Sequence, residues 1–414
     1  MDLENYFLYD HHTNIIPSNI THLKTADDFD GDIIVPMGVT HIVFGQKYNH
    51  VTDHLPQSIT HLVFGQKYNQ ITDHLPQSVK YLTFGRDYNR ITDHLPSNIT
   101  HLNFGNRYNQ PTDHLPSTIT HLTFDYDYNQ CSDHLPQSVK YLTFGISYNQ
   151  PTNYLPDGIK YLTFHGFFNQ PTNELPPSIT HLNFTYLYDQ TSDHLPPTIT
   201  HLTFGCYYNC CTDHLKEGIT DLKFGMDYDC ITDHLPSTIT HLTFGLYYNQ
   251  LTDHLPHGIK YLTFGHYYNQ PIDHLPSTIT DLTFGRNYDQ ITDHLPPSIT
   301  RLVFGKYYNQ PTYYLPDSVQ YLVLGEYYDQ PIHFPKLTKS IIFHGNYEQY
   351  INDIYELYDL VHTNILIPDV LDHVAKNKYN LSIKCLRLLD YGLTFCHATK
   401  QSNIFALHSM CVVV

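Results

Sequence analysis

The chain has 414 residues, among them 37 Tyr and no Trp, and its 22 Lys and Arg against 40 Asp and Glu give a formal charge of −18. That acidity disfavours a nucleic-acid backbone as partner, which needs a basic stripe, and no apolar run of about twenty residues is present to span a membrane. The eight Cys are irregularly spaced and do not read as a disulfide framework, so a reducing intracellular compartment is expected.

The start, MDLENYFLYDHHTN, lacks the basic lead and apolar core of a signal peptide. Residues 1–34 read as an N-terminal cap, with Tyr6, Phe7, Leu8, Ile15 and Ile16 covering one end of a core and a degenerate nineteen-residue repeat beginning at Ile16. Residues 35–334 then hold fifteen tandem copies of a twenty-residue unit, of which Leu115–His134 (LPSTITHLTFDYDYNQCSDH) is representative. A fixed short period of this kind marks a solenoid. Residues are numbered below by position within the unit, counted from its opening Leu.

Positions 5, 8, 10 and 14 are nearly constant in character: Ile or Val, Leu or Ile, Phe or Leu, and Tyr or Phe. They are the expected core. Positions 6 to 10 alternate, with Leu122 and Phe124 on one face and positions 7 and 9 on the other, which predicts a short strand. Pro at position 2 confines the segment before the strand to extended or turn geometry. Gly at position 11 in twelve copies predicts an exit from the strand at φ > 0, with Asp125, His165 and Thr185 as exceptions. Only nine residues remain after position 11, too few and too rich in Asn, Thr, Asp and Pro for a helix. One strand per coil therefore stacks into a parallel sheet with about 4.8 Å between neighbours. Asn or Asp at position 15 is expected to form a structural ladder that satisfies backbone groups of adjacent coils. In the recurrent Asp-His of positions 19 and 20, Asp is expected to cap a turn and His to pack at the corner. Cys210 and Cys230 share a column in neighbouring coils, close enough for a disulfide, although thiols replacing the usual Gln are the simpler reading.

Residues 335–414 change composition and are expected to hold a decayed repeat followed by a mainly helical cap or module. Its three helices are expected over Tyr347–His362, from Pro368 to about Asn377, and from about Asn380 with Ile383, Leu386 and Leu389. The fold class is thus mainly β: a leucine-rich-repeat-like parallel solenoid of about fifteen coils with a helical C-terminal cap.

The pattern L-P-x-S-I-x-x-L-x-F-G-x-x-Y-N-Q-x, at Leu55–Ile71 and in nearly every later copy, resembles FNIP repeats. These are leucine-rich-like repeats abundant in social amoebae and in giant viruses that infect amoebae. Phe168-Asn169-Gln170-Pro171 reproduces the family's Phe-Asn-x-Pro core literally. The resemblance implies a protein-binding solenoid, and a host-cytoplasm location if the chain is viral. Some members carry an amino-terminal F-box, but the segment before the first regular repeat is too short for one, so a ubiquitin-ligase link is not supported.

No Walker loop, dinucleotide fingerprint, HExxH or G-x-S-x-G occurs, so a non-enzymatic role without catalytic residues, cofactor or metal is expected. Asp-His pairs resemble metal ligands, but a ladder of parallel side chains offers neighbours and not a tetrahedron. The abundance of His also raises pH sensing as an idea. The candidate protein-binding face is position 7: His61, Tyr81, His101, His121, Tyr141, Tyr161, His181, His201, Asp221, His241, Tyr261, Asp281, Arg301 and Tyr321. It varies where core columns do not, and it covaries with position 6, where Lys always precedes Tyr (Lys80-Tyr81, Lys140-Tyr141) and Thr precedes His, Asp or Arg. Amphipathic rings of this kind suit protein contact. The alternative is a structural or self-assembling surface component in which regular stacking is itself the function.

Overall fold

The computed structural model describes residues 6–10, 15–333, 335–343, 383–388 and 393–398. The chain forms two compact units, Met1–Cys210 and Cys211–Val414. In the first, eleven short strands run from β1 (Phe7–Tyr9) and β2 (His22–Thr25) through β3 (His41–Val43) to β11 (His201–Thr203), one to each repeat unit from β3 onward. In the second, β12 (Asp221–Lys223) to β17 (Tyr321–Leu324) continue the pattern and β18 (Ser340–Phe343) follows. Within each unit the strands pair in parallel at an offset of one repeat, as in His41↔His61, Ile42↔Leu62 and Val43↔Val63. The degenerate first repeat pairs at an offset of nineteen, His22↔His41. Among the described residues no helix is long and apolar enough to cross a membrane.

Three tight turns close each coil. In a representative coil Tyr68 N–H donates to the Gly65 carbonyl, Leu55 to Thr52, and Ile59 to Pro56. A twenty-residue unit is thus spent on one strand and three turns, which leaves no room for an α-helix; in the unit ending at Tyr314 one of the turns is a 3-10 helix, Thr312–Tyr314. The expected core columns are buried throughout: Ile59, Leu62, Phe64 and Tyr68 are each at most 3% exposed. Within a coil the position-10 and position-14 rings stack, Phe64 on Tyr68 at 3.6 Å, and between coils Phe64 meets Phe84 at 5.7 Å. Burying each such side chain contributes about 1.5–3 kcal/mol.

The buried Tyr hydroxyls need partners, since an unmade buried hydrogen bond costs more than a made one gains. Position 18 of the preceding coil supplies them: Thr52 Oγ1 lies 3.1 Å from Tyr68 Oη, Thr92 2.9 Å from Tyr108, and Ser132 3.0 Å from Tyr148. Two buried side-chain oxygens of these columns lack a partner among the described residues, Thr152 Oγ1 and Tyr288 Oη, and in the last regular coil Tyr328 Oη donates instead to the Pro331 carbonyl at 3.3 Å while Thr312 Oγ1 accepts from His333 N–H at 2.6 Å. Thr152 faces the coil in which Phe168 replaces Tyr, and Tyr288 faces the coil in which Ile272 replaces Thr.

The position-11 glycines are not where a positive φ is needed. Among the described residues only Gly166 (φ 61°) and Gly218 (φ 112°) have one, and neither occupies that column. Their role is close approach: a Cβ on Gly65 would lie 2.0 Å from the Gly45 carbonyl oxygen, and one on Gly265 1.6 Å from that of Gly245. Where His165 and Thr185 take the position, their N–H groups join the ladder, donating to the Phe144 and Phe164 carbonyls at 3.1 Å.

Position 15 forms the expected ladder, with Asn69 N–H donating to Asn49 Oδ1 at 2.9 Å and Asn89 to Asn69 at 3.0 Å. Only the oxygen is used in this contact, so Asp fits too: Asp229 and Asp289 accept from Asn249 and Asn309 at 2.8 Å. The corner His differs from expectation. His54, His74, His94 and their equivalents are exposed, because Asp and His are the two central residues of the turn closed by Thr52 and Leu55 and project away from the core.

Of the three expected C-terminal helices, Tyr347–His362 and Pro368–Asn377 lie outside the described residues. The third is a strand: β19 (Ile383–Leu388) pairs antiparallel with β20 (Leu393–Ala398), and β20 pairs in parallel with β18. Apolar residues three apart in a short run suit either period, and an available sheet partner decides for strand.

Two outcomes follow for stability. Ile272→Thr and Phe168→Tyr each complete a Thr–Tyr pair and should stabilise the chain by about 0.5–1.5 kcal/mol, read as a raised denaturation midpoint. Gly265→Ala should cost about 1–3 kcal/mol or more in the same experiment, because backbone and not a flexible side chain must yield.

Candidate protein-binding face

Position 7 opens every strand of the regular coils, and its side chains stand on the sheet face opposite the core. In the first unit they form one ribbon. His41 and His61 stack with ring centroids 4.0 Å apart, His61 and Tyr81 4.2 Å, and Tyr81 and His101 4.3 Å. The series continues through His101–His121 at 4.0 Å, His121–Tyr141 at 4.1 Å and Tyr141–Tyr161 at 4.6 Å. It ends with Tyr161–His181 at 4.2 Å and His181–His201 at 4.1 Å. His22 of the degenerate repeat joins at 4.2 Å from His41. It stands seventh from Ile16 in the same I-P-x-x-I-T-H-L frame, a signal that the repeat alone offers. Both faces of each inner ring are covered by its neighbours, so the ribbon presents ring edges to solvent. Tyr81, Tyr141 and Tyr161 are 38–40% exposed.

In the second unit the column is mixed. Asp221, Asp281 and Arg301 interrupt it, His241 stacks on Tyr261 at 4.3 Å, and Tyr321 is exposed. His241 Nδ1 also lies 3.6 Å from an Asp221 carboxylate oxygen. The fourteen candidate residues therefore divide into an unbroken aromatic run and a charged, discontinuous one.

The Thr of position 6 fixes how the imidazoles stand. Thr60 Oγ1 lies 3.3 Å from the Thr40 carbonyl oxygen and 2.9 Å from His61 Nδ1, and Thr120 makes the same pair of contacts at 3.2 and 2.9 Å. A hydroxyl carries one hydrogen, which goes either to the carbonyl, with the oxygen then accepting from Nδ1–H, or to a bare Nδ1. Whichever of the two receives that hydrogen, the contact at 2.9 Å fixes Nδ1 against the Thr hydroxyl and turns Nε2 outward. Beside an Asp the same hydroxyl donates, Thr280 to Asp281 at 2.9 Å. A Tyr ring offers no polar atom near its Cβ, which is why Lys can take position 6 before Tyr. For His and Asp the covariation in the sequence is this hydrogen bond.

Burial within the stack holds His41, His61, His101 and His121 below the ordinary imidazole range, His61 down to about 4, with the neighbouring His41, His22 and His101 adding like-charge repulsion there. A metal-like grouping occurs elsewhere: Asp273, Asp293 and His294 bring one ligand atom each within 4.8 Å of one another. All three are exposed column neighbours, and twenty-residue stacking alone places them together.

Because these histidines bind protons less readily folded than unfolded, the stability they carry is present above about pH 6.5 and is lost as pH falls toward 4. Imidazole proton resonances should therefore titrate near 4 for His61 and below the ordinary value for His41, His101 and His121, and denaturation midpoints should fall across that window. Titration of all four at about 6.5 would mean that the rings do not stack.

The FNIP Repeat family matches residues 31–67, 51–87, 68–106, 88–127, 108–147, 132–167, 148–187, 168–207, 248–287, 268–307 and 288–327. Among solved structures, the crystal structure of the giant-virus protein CroV588, a novel circular LRR protein, is similar with a TM-score of 0.73 and 37% identity over 80% of this chain and 54% of that one. The chain thus spans about half the length of that protein. No curated protein matches.

Proposed function

The chain belongs to the FNIP repeat family, and from that premise we propose that it is a non-catalytic protein-interaction scaffold whose contact surface is the position-7 ribbon. FNIP repeats and LRR-like solenoids are typically non-catalytic, and a scaffold role is in keeping with both. The observation that carries the reading is the run of half-exposed rings from His22 to His201, stacked at 4.0–4.6 Å.

Such a ribbon is ordered before any partner arrives. Each ring is held by two neighbours, and each imidazole also by a Thr hydroxyl, so little rotamer entropy remains to be lost on contact. The outward atoms are imidazole Nε2 atoms and Tyr hydroxyls, spaced by the coil repeat, with mostly Thr side chains at position 9 beside them. The partner would meet a row of edge-on polar contacts over an apolar base. Stacking a nucleobase or a cation on a ring face is disfavoured, because the faces are already covered.

The experiment compares proximity labelling and pull-down from the native host using the wild-type chain and a chain with His101, His121, Tyr141 and Tyr161 replaced by Ser. The variant side chains lie outside the core, so it should still melt cooperatively at pH 7, at a midpoint lowered only by the loss of the ring stack. A protein retained by the wild type and lost with the folded variant is the expected result. Equal recovery by both would show the face to be merely solvated, and recovery of the chain alone would favour a self-assembling structural component.

A further inference from the structure

Beyond the ribbon, we infer that the turn leaving the strands of the first regular coils is a second docking surface, one that accepts a short acidic segment of a partner protein. The turn at positions 12 and 13 repeats with its backbone in register: Lys67 N–H donates to the Gln46 carbonyl, Asp87 to Gln66, and Arg107 to Arg86. That register stacks Lys47, Lys67, Asp87 and Arg107 in one column, with Arg86 beside them. Arg90 extends the group at position 16, where its Nε donates to the Asn69 carbonyl at 2.9 Å.

Five of the chain's 22 Lys and Arg thus gather on four successive turns of a protein with a formal charge of −18. One carboxylate stands among them. Asp87 accepts from Lys67 Nζ at 2.9 Å and Arg86 Nε at 3.1 Å, and lies 3.4 Å from Arg107 Nε. Its side chain is only 11% exposed, whereas Lys67, Arg86 and Arg107 are 45–61% exposed. The Lys67 hydrogen bond, with Arg86, holds Asp87 below the usual carboxylate range. The patch therefore turns cations outward over a covered anion, already in an arrangement that receives carboxylate oxygens.

The size of the patch selects the occupant. Four coils at about 4.8 Å span about 14 Å, room for about five extended residues. On either side the turns become acidic, with Asp27 and Asp28 before it and Asp125 and Asp127 after it. A long polyanion such as a nucleic-acid duplex would run on over those carboxylates. A short acidic peptide would not, and with a screening length of about 8 Å at physiological salt the local cations act largely apart from the remaining charge.

The test is fluorescence anisotropy of a labelled short oligo-glutamate peptide, with oligo-glutamine as control, on the full chain. The wild type should bind oligo-glutamate, and more weakly as salt rises. The combined Lys47→Glu, Lys67→Glu and Arg107→Glu variant, with its fold verified by thermal melt, should bind about tenfold more weakly or worse. Asp87→Asn, which removes the competing carboxylate, should bind more tightly than wild type. Failure of the wild type to bind, equal binding by the reversed variant, or weaker binding by Asp87→Asn would each overturn the assignment. So would retention of a DNA duplex in place of oligo-glutamate. The ribbon is untouched by these substitutions, so either surface can fail without the other.

Discussion

The parallel backbone ladder governs this protein. Its hydrogen bonds hold each residue about 4.8 Å from the same position one repeat away, and the register admits no drift within either unit, since every strand of the regular coils pairs at one repeat. Each column of the sequence therefore meets itself. A column of Phe becomes a buried ring ladder, a column of Asn a chain of amide oxygens accepting backbone N–H groups, and a column of Gly a seam where backbones touch. The same rule makes a residue's fitness depend on its counterparts in the adjoining coils as much as on its own environment.

That dependence is clearest in the Thr–Tyr pairs. The Tyr hydroxyl is buried among apolar rings and would be costly alone, yet a Thr from the coil before it meets it at about 3 Å. The burial of these phenols, which pushes their ionisation well above the ordinary range, is tolerated because the partner column repeats as faithfully as the Tyr column. Substitutions at Phe168 and Ile272 break the correspondence from opposite sides, and each strands the oxygen left behind. Repeats copied by duplication can diverge singly, but their columns are satisfied only in pairs.

Outside the core the same stacking acts on chemistry that is free to vary. Position 7 has become an aromatic ribbon in the first unit and a mixed, charged column in the second, and the hydroxyl at position 6 follows it, bonding to Nδ1 of His and donating to Asp. Positions 12 and 13 gather cations in the first coils and exposed tyrosines later, with Tyr307 and Tyr327 stacked at 5.2 Å and Lys306 over the Tyr327 ring at 5.0 Å. A solenoid separates these tasks cleanly, since the core columns fix the frame and leave exposed columns to be set coil by coil.

The sequence by itself determined the period, the strand, the buried columns, the position-15 ladder and the face on which position 7 would stand. Those follow from local alternation and from repetition, which need no knowledge of neighbours in space. What the tertiary structure decided was every contact between coils. The glycines at position 11 answer to a carbonyl twenty residues away and not to their own φ, the histidines at position 20 lie out on a turn, and the 383–388 segment took a strand partner in place of a helix. The Thr at position 18, the Thr–His bond and the cation group around Asp87 were visible as columns, but their meaning lay in which columns touch. A repeat gives every residue the same local neighbours, and only the three-dimensional register says which atoms of the next coil it must satisfy.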